Sequence, residues 1–140
     1  MSTKVPIQDH KDKGASFRLY YECFDEPIEF VYLEFGGVPF EVESSVYLSG
    51  NGTSHVGVRV PVKWASDLVT GFQKAQVEAF VPLEVRNRAR EVFDTEEAAT
   101  AWLIAKSIAL GGKSAIQLCR EGNAELVMHE LGIIGGERRA

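Results

Sequence analysis

Apolar and polar positions alternate with a period of two from Ser16 onward. In SFRLYYEC, Phe17, Leu19, Tyr21 and Cys23 alternate with Arg18, Tyr20 and Glu22, which puts one apolar row on one face of a strand. FDEP, with Pro27, marks a turn, and IEFVYLEF (28–35) continues as a run of β-branched and aromatic residues. Gly36-Gly37 leads into VPFEVES, where Val38, Phe40 and Val42 alternate with Glu41 and Glu43. Two such runs joined by Gly-Gly predict a tight hairpin with positive φ at both glycines. Pro39 has no N–H to donate and belongs at an edge or a bulge. SVYLS, the turn Gly50-Asn51-Gly52 and HVGVRVPV, with Val56, Val58, Val60 and Val62 on one face, predict a second hairpin. About five strands joined by turns this short pair antiparallel. Residues 16–75 are thus expected to form an antiparallel meander with a covering helix. Residues 1–15 are polar, carry Pro6 and Gly14, show no period, and read as a flexible leader.

After Val60 the period lengthens. Val62, Trp64, Ala65, Leu68, Val69 and Phe72 recur at spacings of three and four behind Pro61, which suits a first helical turn. From Pro82 the helical pattern continues to the end, so 82–140 is expected to be a helical unit. Asp94, with Glu97 three residues on, has the spacing of a capping box ahead of AATAWLIAKSIAL. Gly111-Gly112 then closes that helix in a left-handed conformation, and Ser114 caps the next. On this pattern Trp102, Leu103, Leu110, Ile116 and Leu118 form the core of a helix–turn–helix corner. The expected fold class is α+β: an N-terminal antiparallel β-meander of about five strands packed with a C-terminal helical unit.

Composition narrows the functional classes. Hydrophobic residues make up 45% and charged residues 25% of the 140 residues, the balance of a chain that folds. No window approaches the roughly 20 apolar residues that span a bilayer, and the N-terminus has no apolar segment of signal-peptide type. A cytoplasmic location without membrane association is expected. Residues 1–70 carry 6 Lys and Arg against 10 Asp and Glu, and residues 71–140 carry 9 against 10. Nucleic acid is not an expected partner, because non-specific affinity for it comes mainly from cationic side chains. Cys23 and Cys119 read as reduced thiols packed as small hydrophobes.

Catalytic patterns are sparse. His129-Glu130 begins like HExxH, yet the fifth position is Ile133, so no zinc pair forms at i and i+4. His10, His55 and His129 lie in separate segments, and neither a metal nor a cofactor is expected. No nucleophile elbow, phosphate loop or dinucleotide fingerprint occurs, and the chain does not read as an enzyme. Arg86, Arg88 and Arg90, with Glu84 and Glu91 nearby, form a solvated and salt-bridged helix face.

One long phrase is more specific. From Glu91 to Gly136, Phe93, Ala98, Trp102-Leu103, Leu110-Gly111-Gly112, Ser114, Leu118, Gly122, Val127, Leu131 and Gly135 occur in an order and spacing that resembles the toxin-binding domain of the Xre/MbcA/ParS antitoxin family. The resemblance covers about a third of the chain. Family members commonly carry Pro after the Ser or Thr, where this chain has Ala115, and an Asn-Pro-type loop where it has Lys106-Ser107-Ile108-Ala109. They usually place a helical, often DNA-binding region upstream, where this chain has an acidic meander. The resemblance implies a protein-binding module, an antitoxin that neutralises a small NAD-consuming toxin through its C-terminal helices. It places partner contacts at Leu110, Gly111, Gly112, Ser114 and the region from Met128 to Ala140. There Gly135-Gly136 would serve as a hinge, and the guanidinium pair Arg138 and Arg139 suits an anionic or carboxylate-lined pocket. The alternative is a stand-alone α+β protein that binds a ligand or a protein through its sheet. A homo-oligomer is left open by both readings.

Overall fold

The computed structural model describes residues 3–24, 27–37, 43–48, 50–52 and 54–139. The element order is β1 (Lys4–Asp12), β2 (Ala15–Glu22), β3 (Tyr32–Gly36), β4 (Glu43–Leu48), β5 (Ser54–Arg59), a 3₁₀ turn at Val62–Trp64, then α1 (Ala65–Phe80), α2 (Leu83–Phe93) and α3 (Glu96–Ile104). The short strands β6 (Lys106–Ser107) and β7 (Lys113–Ser114) enclose a second 3₁₀ turn, Ile108–Leu110, and are followed by α4 (Ala115–Arg120) and α5 (Ala124–Arg139). The chain divides into two compact units. The boundary falls inside α1, between Phe72 and Gln73, and Pro27–Glu29 group with the second unit.

The α+β class holds, but the five-strand meander does not. The first sheet has three antiparallel strands in the order β1-β2-β3, and β4 pairs with β5 in a separate two-stranded sheet. Short turns dictate that neighbouring strands run antiparallel; they do not dictate that successive hairpins join. The segment read as a flexible leader supplies β1, with Asp12 paired to Ala15 across a two-residue turn. Lys13 and Gly14 both take positive φ there, 48° and 92°, the geometry of the mirror-image turns that match strand twist. A register shift between Pro6 and Gln8 explains why no period is visible in β1. The bulge moves the half-buried positions from Val5 and Ile7 to Gln8 and His10, and alternation cannot survive such a change of parity.

Gly36 is not a turn residue. It lies in β3 opposite Ser16, and only Gly37 takes a positive φ, 104°. A Cβ on Gly37 would sit 2.0 Å from the Gly14 carbonyl oxygen, so the closeness of these two backbones admits glycine alone. Val38, Pro39, Phe40, Glu41 and Val42 lie outside the described residues. The second hairpin forms where expected, with Leu48 paired to Ser54 and Val46 to Val56.

The first unit is held by aromatic rings. Ala15, Phe17 and Trp64 are buried together, with Phe35, Val60 and Leu68 against them. Trp64 is 0% exposed, and its ring lies 5.7 Å from Phe17 and 6.4 Å from Phe35. The His10 ring stacks on Phe17 at 5.1 Å, and its Nδ1 meets an Asp67 carboxylate oxygen. Gly71 lets α1 approach the sheet, since a Cβ there would meet Gln8 Cβ at 3.0 Å and Leu19 Cδ2 at 3.2 Å.

The second unit is held by aliphatic side chains. Val77, Val81, Val85, Ala89, Val92, Leu103, Leu118, Val127 and Leu131 form one buried cluster, with Trp102 and Phe93 partly buried against it. Pro82 stands at the N-cap of α2. Asp94 does not cap α3. It closes α2 in a left-handed conformation, φ 65°, and Thr95 is the α3 N-cap, its side chain accepting from Ala98 N at 3.1 Å. Asp94 cannot occupy both the left-handed position that ends one helix and the extended position that starts the next.

Candidate protein-binding surface

The segment from Lys106 to Ser114 is a small loop that departs from helix on purely local grounds. α3 stops at Ile104 because Ala105 turns extended, φ −69° and ψ 142°. It does not continue to Gly111-Gly112 as expected. The apolar pattern through Ile108 and Leu110 matches a helix only by coincidence of spacing. One short antiparallel ladder of two pairs, Lys106 with Ser114 and Ser107 with Lys113, closes the loop at its base. Across its tip Gly111 N donates to the Ile108 carbonyl at 3.0 Å and Gly112 N to the Ser107 carbonyl at 2.8 Å. Gly111 is left-handed as expected, φ 70°, but it ends the 3₁₀ turn rather than the helix of Trp102. The Ser114 side chain caps α4, accepting from Gln117 N at 3.1 Å.

The residues singled out from sequence fall into different environments. Gly111 and Gly112 are exposed, Ser114 is half-buried, and Leu110 is buried in the second unit's cluster. Leu110 therefore anchors the loop from beneath. Met128 is half-buried on α5 and packs on the same cluster, so its aliphatic stem serves the fold. Arg138 and Arg139 lie in the last turn of α5. The Gly135-Gly136 pair is not a hinge, because α5 runs through it to Arg139. Gly135 is buried, and a Cβ there would meet Arg88 Nη2 at 3.0 Å and Val92 Cγ2 at 3.2 Å. A Cβ at 135 would need the Arg88 and Val92 side chains to give by a few tenths of an ångström, so the small residue suits the closeness of α5 to α2.

Ile108, which the sequence places in the loop without marking it as a contact residue, is 97% exposed. The only signal for it was the interruption Lys106-Ser107 inside an otherwise apolar run. Two further apolar side chains, Leu126 and Ile133, are exposed on α5 at 56% and 43%.

The surrounding charges are largely paired. Lys113 Nζ meets Glu121 Oε2 at 2.8 Å, and this hydrogen bond holds the Glu121 carboxyl below the usual carboxylate range. Arg86 bonds Glu78 at 2.6 Å and the Val81 carbonyl at 3.0 Å, and Arg88 bonds Glu91 at 3.0 Å. Arg86 and Arg88 are thus ion-paired, Arg86 with Glu78 rather than Glu84, but both are half-buried rather than solvated. The Arg120 guanidinium lies 4.3 Å from the Phe80 ring centroid, a cation–π contact. Burial pushes the Cys119 thiol up, whereas Cys23 is exposed. Among the described residues no group of three or more His, Cys, Asp or Glu could hold a metal ion, and no helix is long and apolar enough to cross a membrane.

The first unit offers a different kind of feature. One end of the three-stranded sheet carries a shallow cavity of about 190 Å³, lined by Asp9, Lys11, Ser16, Arg18, Glu34 and Gly36 among others. Small residues at Ser16 and Gly36 leave the depression, and the rings of His10, Phe17 and Phe35 line it together with the charged side chains. Arg18 is drawn to one side of it by Asp9, at 2.8 Å.

Residues 88–136 match the family model of the antitoxin Xre/MbcA/ParS C-terminal toxin-binding domain. The matched segment falls within the second unit and contains the whole Lys106–Ser114 loop. No curated protein and no solved structure matches the chain.

Proposed function

We propose that the chain captures a toxin protein through its second unit and neutralises it. The observation that carries this reading is the match of residues 88–136 to an antitoxin's toxin-binding domain. The physical setting supports it: the unit has its own aliphatic cluster, and the Arg86–Glu78 and Lys113–Glu121 ion pairs fix part of its surface. In this reading the toxin consumes NAD, and the end of α5, with Arg138 and Arg139, reaches toward its carboxylate-lined or anion-binding site. The test is to purify the full chain from its native cell, identify the stoichiometric protein that accompanies it, and assay that protein for NAD consumption with and without the chain. Loss of NAD that the chain arrests supports the reading. Purification without any stoichiometric partner rejects it. Deleting Glu137–Ala140 is expected to weaken capture if the end of α5 contacts the toxin.

A second reading rests on the cavity of the three-stranded sheet. Its mixed charges, Asp9, Lys11, Arg18 and Glu34, suit a small zwitterionic ligand, and the protein would then act through its first unit. Arg18→Ala with unchanged capture of the protein partner but altered ligand retention would favour that second role.

A further inference from the structure

We propose that Ile108 is the apolar anchor of the toxin-binding surface, entering an aliphatic-sized pocket on the partner whose rim carries Asp or Glu side chains that meet Lys106. The proposal rests on the reading that the second unit captures a toxin, and it names the element and the partner chemistry.

Three observations converge on this residue. Ile108 is 97% exposed, while Leu110 in the same 3₁₀ turn is 8% exposed and fixed in the core. The turn therefore holds one apolar side chain in and one out. A single exposed aliphatic residue is ordinary on a protein surface, but this one sits on a backbone fixed from several sides. The Lys106–Ser114 and Ser107–Lys113 pairs close the base, the Gly111 and Gly112 amides close the tip, and the Lys113–Glu121 ion pair ties β7 to the end of α4. A side chain held on such a turn pays little ordering entropy on binding, the usual advantage of preorganisation. Isoleucine also gives this turn nothing locally, because β-branching stiffens χ1 without favouring a 3₁₀ conformation. The residue is neither core nor local structure, and it lies inside the segment that matches a toxin-binding domain.

Charge narrows the partner. Lys106 and Lys113 flank the turn; Lys113 is engaged by Glu121, whereas Lys106 is exposed and supplies the cation beside Ile108. No acidic residue occurs between Ala98 and Glu121. A pocket edged by carboxylates complements this stretch, and a basic rim is repelled by it.

The experiment uses the full chain with a photoreactive benzoylphenylalanine at position 108, 126 or 62, expressed in the native cell and irradiated, with the cross-linked peptides sequenced. The identified partner is then titrated with wild type, Ile108→Ala, Ile108→Arg and Lys106→Glu. Position 108 is expected to cross-link to a partner peptide with apolar residues beside Asp or Glu, and position 62, also exposed but in the first unit, is expected not to. Ile108→Ala should weaken binding about tenfold and Ile108→Arg roughly a hundredfold, both with wild-type melting temperatures, as truncation of a central interface anchor does. Lys106→Glu should slow association several-fold at low salt and little at high salt. Cross-linking from 126 but not from 108, or wild-type affinity of Ile108→Arg, overturns the anchor and leaves toxin capture standing. Cross-linking of 108 to a second copy of this chain overturns the anchor in favour of a self-interface. Failure of 108 and 126 alike to reach any other protein overturns the anchor, and capture through the end of α5 is then judged by the co-purification test alone.

Discussion

The two units solve the same packing problem with different side chains. In the first, a few large rings meet at one point, where Trp64 touches His10, Phe17 and Phe35. In the second, many small aliphatic residues from every helix share the burial, from Val77 on α1 to Leu131 on α5. A concentrated core makes one residue decisive, because each ring loses its neighbour when the central one is removed. A distributed core spreads the loss, and neighbouring methyl groups can partly fill the space.

Removing the centre of each core tests this contrast most severely. Trp64→Ala is expected to cost about 3–5 kcal/mol and Leu131→Ala about 2–4 kcal/mol, each read from urea unfolding. Leu131→Ala costing clearly more than Trp64→Ala would reverse the contrast. A smaller effect isolates the backbone of the loop in the second unit. Nothing lies within 4 Å of a Cβ built on Gly111, whose φ is +70°. Gly111→Ala should therefore cost only the left-handed strain, about 1 kcal/mol, with an unchanged denaturant slope. A loss of several kcal/mol would show that the loop is packed more tightly than its open surroundings indicate.

Finer still is a comparison within α5. A Cβ on Gly132 meets nothing within 4 Å, whereas one on Gly135 presses on Arg88 and Val92. Gly132→Ala should stabilise by about 0.5–1 kcal/mol through helix propensity, and Gly135→Ala should gain less than that or lose. Equal gains at both positions, measured by thermal melting, would contradict the close approach of α5 to α2. The smallest effect concerns Glu121. Its folded-state pKa is lowered, chiefly by the hydrogen bond from Lys113, so its contribution is present above the unfolded carboxylate value and is lost as pH falls through the folded one. Wild type and Lys113→Met should differ slightly in melting temperature at pH 6 and converge toward pH 3. A gap that widens on acidification would give the pair the opposite sign.

Much of the helical half was legible in the sequence, for a physical reason. A spacing of three and four persists over α2, and the phrase from Phe93 to Gly135 is constrained at many positions at once, so the matched segment was found with its restricted extent. Short elements were less legible. β6 and β7 have two residues each, too few for any period, and the 3₁₀ turn between them keeps Ile108 and Leu110 at a spacing that a helix would also allow. The first half misled at β1, where one bulge near Ile7 exchanges the two faces and erases alternation. Pairing between hairpins was not legible either. Val56 and Val58 signal a strand, but no residue in β5 specifies that the neighbouring sheet remains separate. Of the surface, the sequence marked the loop through Gly111-Gly112 but missed its exposed side chain, since exposure follows from where the 3₁₀ turn aims each residue and composition carries no trace of that.

The contact between His10 and Asp67 joins positions 57 residues apart, and this has a consequence in time. The β1–β2 hairpin, closed by the two-residue turn at Lys13-Gly14, can form on the microsecond scale of local pairing. Its inner face stays uncovered until the residues around Trp64 and Asp67 return to it, a closure whose entropic cost grows only slowly with length but must be met before any ring contact rewards it. During synthesis Phe17 and Phe35 are therefore made long before the indole that buries them. The nascent first unit passes through an interval with an open sheet and an uncapped aromatic face, the state most exposed to wrong pairing.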